Sequence, residues 1–228
     1  MCEVIGILSK NKLSPLWFES FRENARSGKD GHFLRRGQEE SWGIAGYLGN
    51  WAVHFGAGGK EKSGKAYREA YEHAMLSKSG ILIANFKRTK ESEQHILSPR
   101  IYGNWIYANT GRIVRKDAVK EAGDEFFKCL IERLEHKSPR NYAECITVSV
   151  EEVREQHAID SLSFLLSDGN HLVGYRDPSC GAENHELFCT QAKDVCILCT
   201  SQLPGFEWKP FHGGSVMVVH RGGELYEF

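Results

Sequence analysis

The residue with the clearest chemical potential is the cysteine at the second position of the chain. Cys2 follows the initiator Met1, and it is a small residue of the kind after which the initiator is removed. Removal would leave Cys2 with a thiol and a free α-amine on the same carbon. An α-amine has a pKa of about 7.7–8.0 and a thiol one of about 8.5, so the amine can act as general base for the sulfur. The sequence therefore predicts an N-terminal cysteine nucleophile; the alternative is an incidental thiol ahead of a buried strand.

A second cysteine pattern invites a metal site but lacks the required geometry. Cys196 and Cys199 form a C-x-x-C pair, with Cys180 and Cys189 upstream. The surrounding letters VCILCTS read as an apolar strand, in which residues three apart point to opposite faces, whereas zinc needs converging thiolates. We interpret these cysteines as buried structural thiols and expect no metal.

The glycine-rich loop GAGGKEKSG, residues 56–64, resembles a phosphate-binding loop only in composition. The spacing G-x-x-x-x-G-K-[ST] is absent, because Glu61 follows Gly59-Lys60. We interpret the loop as a turn after the strand at Trp51–Phe55, and we expect no cofactor.

Composition limits the function classes further. The 228 residues include 29 Lys and Arg against 30 Asp and Glu, a balance that predicts no broad basic face for nucleic acid or for a membrane. The chain has neither an apolar run of about 18 residues nor a secretory signal pattern. Its 7 cysteines, an odd number, fit reduced thiols better than a disulfide framework. We therefore expect a single domain, residues 1–228, in the cytoplasm.

The elements that must position Cys2 are mostly strands. Strands are predicted where short β-branched or aromatic runs lie between turn residues, at residues 4–8, 41–47, 51–55, 80–86, 105–108, 161–167, 171–176, 195–200 and 215–220. The strongest hairpin signal is Asp168-Gly169-Asn170. Helical spacing appears at residues 16–25, 63–77 and 124–136, and residues 151–157 are a further short candidate. Many strands without strict βαβ alternation indicate an α+β fold.

Six short motifs then occur in an order and spacing that resemble the class II glutamine amidotransferase domain, especially its small stand-alone members. The motifs are MCEVIGIL, ESWGIAGY, ILIANFKRTK, GNWIYANTGRI, LSFLLSDGNHLVGYRD and CILCTSQLPGFEWKPFHGGSVMVV. The resemblance covers nearly the whole chain. It implies the four-layer αββα sandwich of N-terminal-nucleophile hydrolases, with Cys2 attacking the side-chain amide of glutamine to give a thioester and ammonia.

The resemblance also implies residues that bind the substrate. The family's His-x-Arg strand motif, whose arginine binds the substrate carboxylate, corresponds to Asn85–Thr89. Lys87 takes the arginine position without a gap, and Arg88 takes it after a shift of one residue. Only arginine offers a bidentate fork to a carboxylate.

The family's oxyanion hole, a His-Asn-Gly triplet, corresponds to Asn109-Thr110-Gly111. Gly111 matches, while Thr110 stands where the donating asparagine is expected and Asn109 lies one position early. Loss of one such donor costs about 2.7–4 kcal/mol of transition-state stabilisation, unless Asn109 compensates.

Three further positions correspond to binding motifs of the family. Its Asp-Gly-Trp-Gly reads Glu40-Ser41-Trp42-Gly43 here, and an Asn-Thr-His-Pro-Phe match lies near His95. Asp124 stands in the segment that holds the substrate ammonium; its alternative role is that of an acid at a helix N-terminus.

The resemblance implies a glutaminase or amidotransferase that binds glutamine or a γ-glutamyl small molecule and passes ammonia to a separate acceptor synthase subunit. Two alternatives remain: hydrolysis of another γ-glutamyl or amide substrate, and a non-catalytic binding or regulatory member of the family.

Overall fold

The computed structural model describes residues 2–11, 13–27, 38–58, 64–90, 98–111, 113–115, 123–159, 162–178 and 186–228. For residues 38–40, 88–90 and 115 it describes the backbone alone. The motif near His95, Cys180 and Met1 lie outside these ranges, as do residues 59–63 of the glycine-rich loop.

Most of the described secondary structure is β-strand, and each paired strand is antiparallel to its neighbour. The strands are β1 (Cys2–Ser9), β2 (Gln38–Leu48), β3 (Trp51–Gly58), β4 (Ile81–Lys90), β5 (Arg100–Tyr102), β6 (Trp105–Thr110), β7 (Ile113–Arg115), β8 (His157–Ile159), β9 (Ser163–Ser167), β10 (His171–Tyr175), β11 (Phe188–Ala192), β12 (Val195–Cys199), β13 (Lys209–Pro210), β14 (Val216–His220) and β15 (Leu225–Glu227).

The strands form two large sheets and a small one. The first large sheet, sheet A, has the order β13-β11-β12-β1-β4-β2-β3, and the second, sheet B, has the order β15-β14-β10-β9-β6-β5. Strands β7 and β8 pair separately. The helices are α1 (Pro15–Ser27), α2 (Gly64–Leu76), α3 (Gly123–Leu134) and α4 (Tyr142–Gln156), and a 3-10 turn spans Pro139–Asn141.

Three hydrophobic clusters define four layers. Phe18 of α1 and Tyr67 of α2 pack against Ile5 and Trp42 on one face of sheet A. Val4, on the other face of sheet A, packs with residues of sheet B such as Ala108. Helices α3 and α4 cover the remaining face of sheet B. The structure therefore confirms the predicted α+β fold with its αββα sandwich of layers.

The layering explains why the start of the chain is so apolar. Strand β1 lies in the middle of sheet A between β12 and β4, and its residues from Glu3 to Ser9 are all buried. A strand that is covered on both faces reads as a continuous apolar run rather than as an alternation. Its position fixes Cys2 at the end of one of the most enclosed strands of the protein.

One predicted element is wrong in extent. The sequence indicated a helix only at residues 151–157, but α4 begins at Tyr142 and ends at Gln156, and His157 already belongs to β8. The β-branched residues Ile146, Thr147 and Val148 disguise the first half, since such residues lower helix propensity. Packing of Cys145, Ile146 and Val150 against sheet B stabilises the helix nevertheless.

The hairpin between β9 and β10 forms as predicted. Gly169 has φ 92°, and the Asp168 carboxylate accepts the backbone N–H groups of Asn170 and His171 at 2.8 and 2.6 Å. Burial raises the pKa of Asp168, but the hydrogen bond and charge of the His171 ring, together with these two backbone N–H groups, outweigh burial and hold that pKa below its usual value. In the described part of the chain, no helix has the length and apolar character needed to cross a membrane.

Candidate active site

Cys2 lies at the open end of β1 with its sulfur held between two polar partners. The amide Nδ2 of Asn85 donates a hydrogen bond to Cys2 Sγ at 3.0 Å, and the thiol donates to the main-chain oxygen of Asn109 at 3.2 Å. Asn85 belongs to sheet A and Asn109 to sheet B, so the sulfur lies where the two sheets meet. Cys2 as a whole residue is half-buried.

The electrostatic environment of the thiol has opposing contributions. Burial is the dominant cause and raises the pKa of Cys2, because a thiolate loses hydration there. The hydrogen bond from Asn85 and the positive charge of Lys87 lower the same pKa, and the charge of Glu3 raises it. The site therefore disfavours a free thiolate but provides two groups that stabilise one when it forms.

The strand register places Lys87 on the face of sheet A that carries Cys2. In the antiparallel pairing of β1 with β4, Cys2 lies directly opposite Lys87 and Val4 lies opposite Asn85. Directly opposite residues project from the same face of a sheet, so Lys87 projects from the face that carries Cys2 and Asn85. The backbone of Arg88 continues β4, and its side chain lies outside the described atoms.

The segment predicted to form the oxyanion hole lies beside the sulfur. The main-chain oxygen of Asn109 contacts the thiol, and the Asn109 side chain donates to the oxygen of Gly111 at 3.3 Å. Gly111 has φ 81°, a conformation that favours glycine. Thr110 is fully buried, and its hydroxyl donates to the oxygen of Ser163 at 3.4 Å. The three residues are therefore at the end of β6 next to Cys2, but the two side chains that could replace the family's asparagine donate elsewhere.

Trp42 and Gly43 project from opposite faces of β2. The indole of Trp42 is buried on the helix-covered face and packs edge-on against Tyr67 at 5.3 Å between ring centroids. Its side chain therefore lies on the face of sheet A opposite to Cys2, and the structure does not bring it to the site.

Gly43 lies opposite Asn85 in the pairing of β2 with β4. A Cβ atom on Gly43 would lie 2.0 Å from the backbone oxygen of Ser98, a contact that real atoms do not make. Glycine therefore allows the Ser98-Pro99 backbone to approach the sheet next to Asn85.

Asp124 occupies the first turn of α3, where both of its alternative roles place it. Its carboxylate is paired with Arg100, at 2.6 Å between Oδ1 and Nη1, although the Asp124 side chain is 61% exposed. The carboxylate therefore already has a cationic partner, with which a substrate ammonium would compete.

Sequence reasoning did not include Asn85 among the site residues. It stands at the histidine position of the family's His-x-Arg motif, within the otherwise apolar run ILIANF, and it lies two residues before Lys87, so that both side chains project in the same direction. Asn85 is 2% exposed, and it also donates to the main-chain oxygen of Glu3 at 3.3 Å.

Glu3 was also absent from the residues predicted for the site. Its side chain joins the start of β1 to the residues that follow β12. The Glu3 carboxylate accepts hydrogen bonds from the hydroxyls of Thr200 and Ser201, the second at 2.7 Å. Thr200 Oγ1 in turn accepts the backbone N–H of Val4 at 3.0 Å. Thr200 and Ser201 directly follow β12, so these bonds hold the first residues of β1 in place beyond the end of β12. They thereby restrain the position of Cys2.

The C-x-x-C thiols point to opposite faces, as predicted. Cys199 lies in the cluster under the helices, and Cys196 lies between the sheets, 4.0 Å from Cys189. Each of the six cysteines in the described ranges is a free thiol.

Comparison with known proteins identifies the fold. No protein-family model matches the chain, and no curated protein matches its sequence. Solved structures do match. A glutamine aminotransferase class-II domain protein from Silicibacter pomeroyi aligns over 100% of this chain and 98% of its own, with a TM-score of 0.61 and 15% identity.

Two other solved structures agree with this match. A predicted glutamine amidotransferase from Pseudomonas aeruginosa covers 98% of this chain and 99% of its own, with a TM-score of 0.54 and 16% identity. Glutamine phosphoribosylpyrophosphate amidotransferase from B. subtilis covers 100% of this chain with a TM-score of 0.60 and 13% identity. This chain spans only 49% of that enzyme's length. The chain thus has the fold of class II glutamine amidotransferase domains, the four-layer αββα sandwich that the motifs implied.

Proposed function

We propose that the chain is a cysteine-dependent amidohydrolase that acts on γ-glutamyl amides, with glutamine as its default substrate and Cys2 as its N-terminal nucleophile after removal of Met1. The observation that carries this proposal is the position of the Cys2 sulfur. It lies at the end of a central strand, with an amide N–H at 3.0 Å and a carbonyl oxygen at 3.2 Å, opposite the cation of Lys87. A rigid strand that ends in a nucleophile meets the requirement for a fixed reacting group.

The first half of the reaction forms a thioester. The α-amine of Cys2 takes the thiol proton, and Sγ attacks the carboxamide carbon, so that a C–S bond forms and the C=O electron pair moves onto oxygen. The resulting ammonium gives its proton to the amide nitrogen. The C–N bond then breaks, ammonia leaves and the C=O bond re-forms.

The second half regenerates the enzyme. The same amine takes a proton from water, whose oxygen attacks the thioester carbon. The C–S bond breaks, the sulfur regains a proton and a γ-carboxylate is released. In both halves the backbone N–H of Gly111 is proposed to stabilise the oxygen that becomes negative, in the manner of an oxyanion hole.

Lys87 is proposed to hold the substrate α-carboxylate, because it projects from the same face as Cys2. Its ammonium provides one point charge rather than a bidentate fork, so it restricts the orientation of a carboxylate less than arginine does. Arg88 is the alternative carboxylate ligand. Asp124 is the proposed ligand for the substrate ammonium, and its pairing with Arg100 weakens that role.

Specific observations favour the second candidate, an amidohydrolase with a different γ-glutamyl or amide substrate. Thr110 replaces an expected amide donor, and Asp124 already has a cation beside it. A substrate without a free ammonium group would suit this arrangement better than glutamine does. If the chain hydrolyses neither glutamine nor another γ-glutamyl amide, the remaining alternative is a non-catalytic binding or regulatory member.

The proposal extends to the fate of ammonia and to the compartment. We propose that the ammonia passes to an acceptor synthase on a separate subunit. A reducing compartment such as the cytoplasm is proposed as the setting, since Cys2 must remain a free thiol to react.

Replacement of Lys87 tests the proposed function. Lys87→Ala is expected to raise KM for glutamine roughly 10- to 150-fold, because a charge-assisted hydrogen bond contributes about 1.5–3 kcal/mol. Lys87→Arg keeps the charge and is expected to stay within about threefold of the parent. Ammonia release over a range of glutamine concentrations measures both variants.

The exposed Lys137 supplies a matched control: Lys137→Ala removes the same charge far from the site in sequence and is expected to leave KM unchanged. An unchanged KM in Lys87→Ala would contradict the assigned role of Lys87. Binding of glutamine without ammonia release would favour the non-catalytic alternative, and release from another γ-glutamyl amide would favour the second candidate.

A further inference from the structure

We infer that Asn85 is a catalytic residue of this chain: its side-chain amide supplies the oxyanion donor that is missing at Thr110. The inference rests on the proposed function, since it assigns a group to the same site. It also changes the origin of the donor, from the end of β6 in sheet B to β4 in sheet A, directly beside the nucleophile's own strand.

The orientation of the Asn85 amide follows from its partners. The main-chain oxygen of Glu3 can only accept a hydrogen bond, so the Asn85 atom 3.3 Å from it must be the nitrogen. That nitrogen carries two hydrogens, and the second partner at 3.0 Å is Cys2 Sγ. The bond to Glu3 therefore holds the amide so that the other N–H is directed at the reacting sulfur.

Burial makes this donor effective. Asn85 is 2% exposed, and a donor with little access to water keeps its orientation and is not exchanged for solvent. The would-be Cβ of Gly43, which lies opposite Asn85, meets the Ser98 backbone. The Ser98-Pro99 segment thus covers the sheet next to Asn85, and the amide has few alternative conformations.

The other side chains that could replace the missing donor make hydrogen bonds away from the Cys2 sulfur. The Thr110 hydroxyl donates to Ser163 in the interior, and the Asn109 amide donates to the oxygen of Gly111. The Asn109 main-chain oxygen accepts the Cys2 thiol, and a carbonyl oxygen cannot stabilise an anion. Among the described residues, Asn85 is the one whose side-chain amide donates to Sγ.

The reaction uses the amide twice. When the α-amine removes the thiol proton, the Asn109 oxygen loses the hydrogen it accepted, while the Asn85 N–H remains directed at the thiolate. Attack then forms the C–S bond and moves the C=O electron pair onto an oxygen attached to the carbon bound to Sγ. A donor in contact with Sγ needs only a small shift to reach that oxygen. The Asn85 amide and the backbone N–H of Gly111 then both donate hydrogen bonds to it.

Two variants of Asn85 test the inference. Asn85→Ala removes the donor, and Asn85→Asp keeps nearly the same size but offers a carboxylate in place of the N–H. We expect kcat for γ-glutamyl amide hydrolysis to fall about 100- to 1,000-fold in Asn85→Ala and further in Asn85→Asp, with KM changed less than about threefold. Asn50 lies in the exposed turn after β2, so Asn50→Ala is the matched control and should leave both constants unchanged.

A second readout separates a catalytic role from a structural one. The rate at which iodoacetamide alkylates Cys2 is measured against pH by mass spectrometry of the N-terminal peptide. Removal of a hydrogen bond to the thiolate raises the thiol pKa, so the profile of Asn85→Ala should shift to higher pH. The denaturation midpoint of Asn85→Ala is measured alongside. A shifted profile together with the parent's denaturation midpoint indicates loss of the hydrogen bond, whereas a substitution that only disturbs folding would lower the midpoint.

The outcomes that overturn the inference are distinct from failure of the proposed function. A folded Asn85→Ala or Asn85→Asp protein with kcat within tenfold of the parent, or with a raised KM alone, would exclude Asn85 as the donor. If the parent itself releases no ammonia from any γ-glutamyl amide, the proposed function fails. The pH profile of alkylation then tests the hydrogen bond from Asn85 to the Cys2 sulfur by itself. A profile of Asn85→Ala that is not shifted from that of the parent would contradict this hydrogen bond.

Discussion

Replacement of Cys2 by alanine is expected to reduce ammonia release by about four orders of magnitude or more, because the proposed thioester forms on its sulfur. The fold should persist. Cys2 lies at a strand end and is partly exposed, so loss of its thiol hydrogen bond should lower the free energy of unfolding by only about 1 kcal/mol. Turnover and the midpoint of urea unfolding, measured on the same preparation, separate the two effects.

The exposed thiol of Cys129 on α3 provides the matched control. Cys129→Ala removes a cysteine that is far more accessible, and it should leave turnover unchanged. Substantial ammonia release from Cys2→Ala would mean that the reaction does not pass through this sulfur. Cys2→Ser keeps a hydroxyl, but the weaker nucleophile should leave it nearly as inactive as alanine.

Addition of one residue before Cys2 is the second change with a large expected effect. An inserted alanine would keep the sulfur in place but move the free α-amine to another residue, which removes the proposed general base. Such proton transfer contributes about 100- to 10,000-fold, so a loss of that size is expected in kcat. The measurement is ammonia release by protein whose N-terminal sequence has been determined.

A fusion protein cleaved directly before Cys2 supplies the control for this extension. It exposes Cys2 without depending on removal of Met1, and it should be fully active. If the extended and the cleaved proteins turn over substrate equally, the α-amine is not the base. Comparison of the two also removes any uncertainty about the efficiency of initiator removal.

The sequence predicted the strand that carries Cys2, because the governing pattern is local. The run from Val4 to Leu8 is apolar without alternation, which is the signature of a strand covered on both faces, and β1 occupies such a position. The Asp168-Gly169-Asn170 turn and the opposite directions of Cys196 and Cys199 likewise follow from rules that act within a few residues.

The site partners could not be predicted in the same way, because they depend on which strands become neighbours. Lys87 and Arg88 are adjacent in sequence, and only the pairing of β1 with β4 places Lys87 opposite Cys2. The bond from Asn85 to the sulfur joins residues 83 positions apart. The ion pair between Arg100 and Asp124 joins the start of β5 to the start of α3 in the same non-local manner.

Two further features did not follow from the sequence: the direction of Trp42 and the presence of several very short strands. Trp42 belongs to a motif that implies substrate binding, but the alternation along β2 directs its indole to the helix-covered face. Strands such as β5, β7 and β13 have only two or three residues, too few for a periodic signal. Such short strands form because a neighbouring strand pairs with them, and their own composition does not predict them.

Intact-mass analysis of the purified protein, before and after treatment with a diazo-ketone analogue of glutamine, tests most directly whether Cys2 is the N-terminal nucleophile. We expect a mass without Met1 and, after treatment, a single added label that maps to Cys2 and is absent from Cys2→Ala. Retention of Met1 in active protein, or a label that maps to Cys129 and persists in Cys2→Ala, would contradict this assignment.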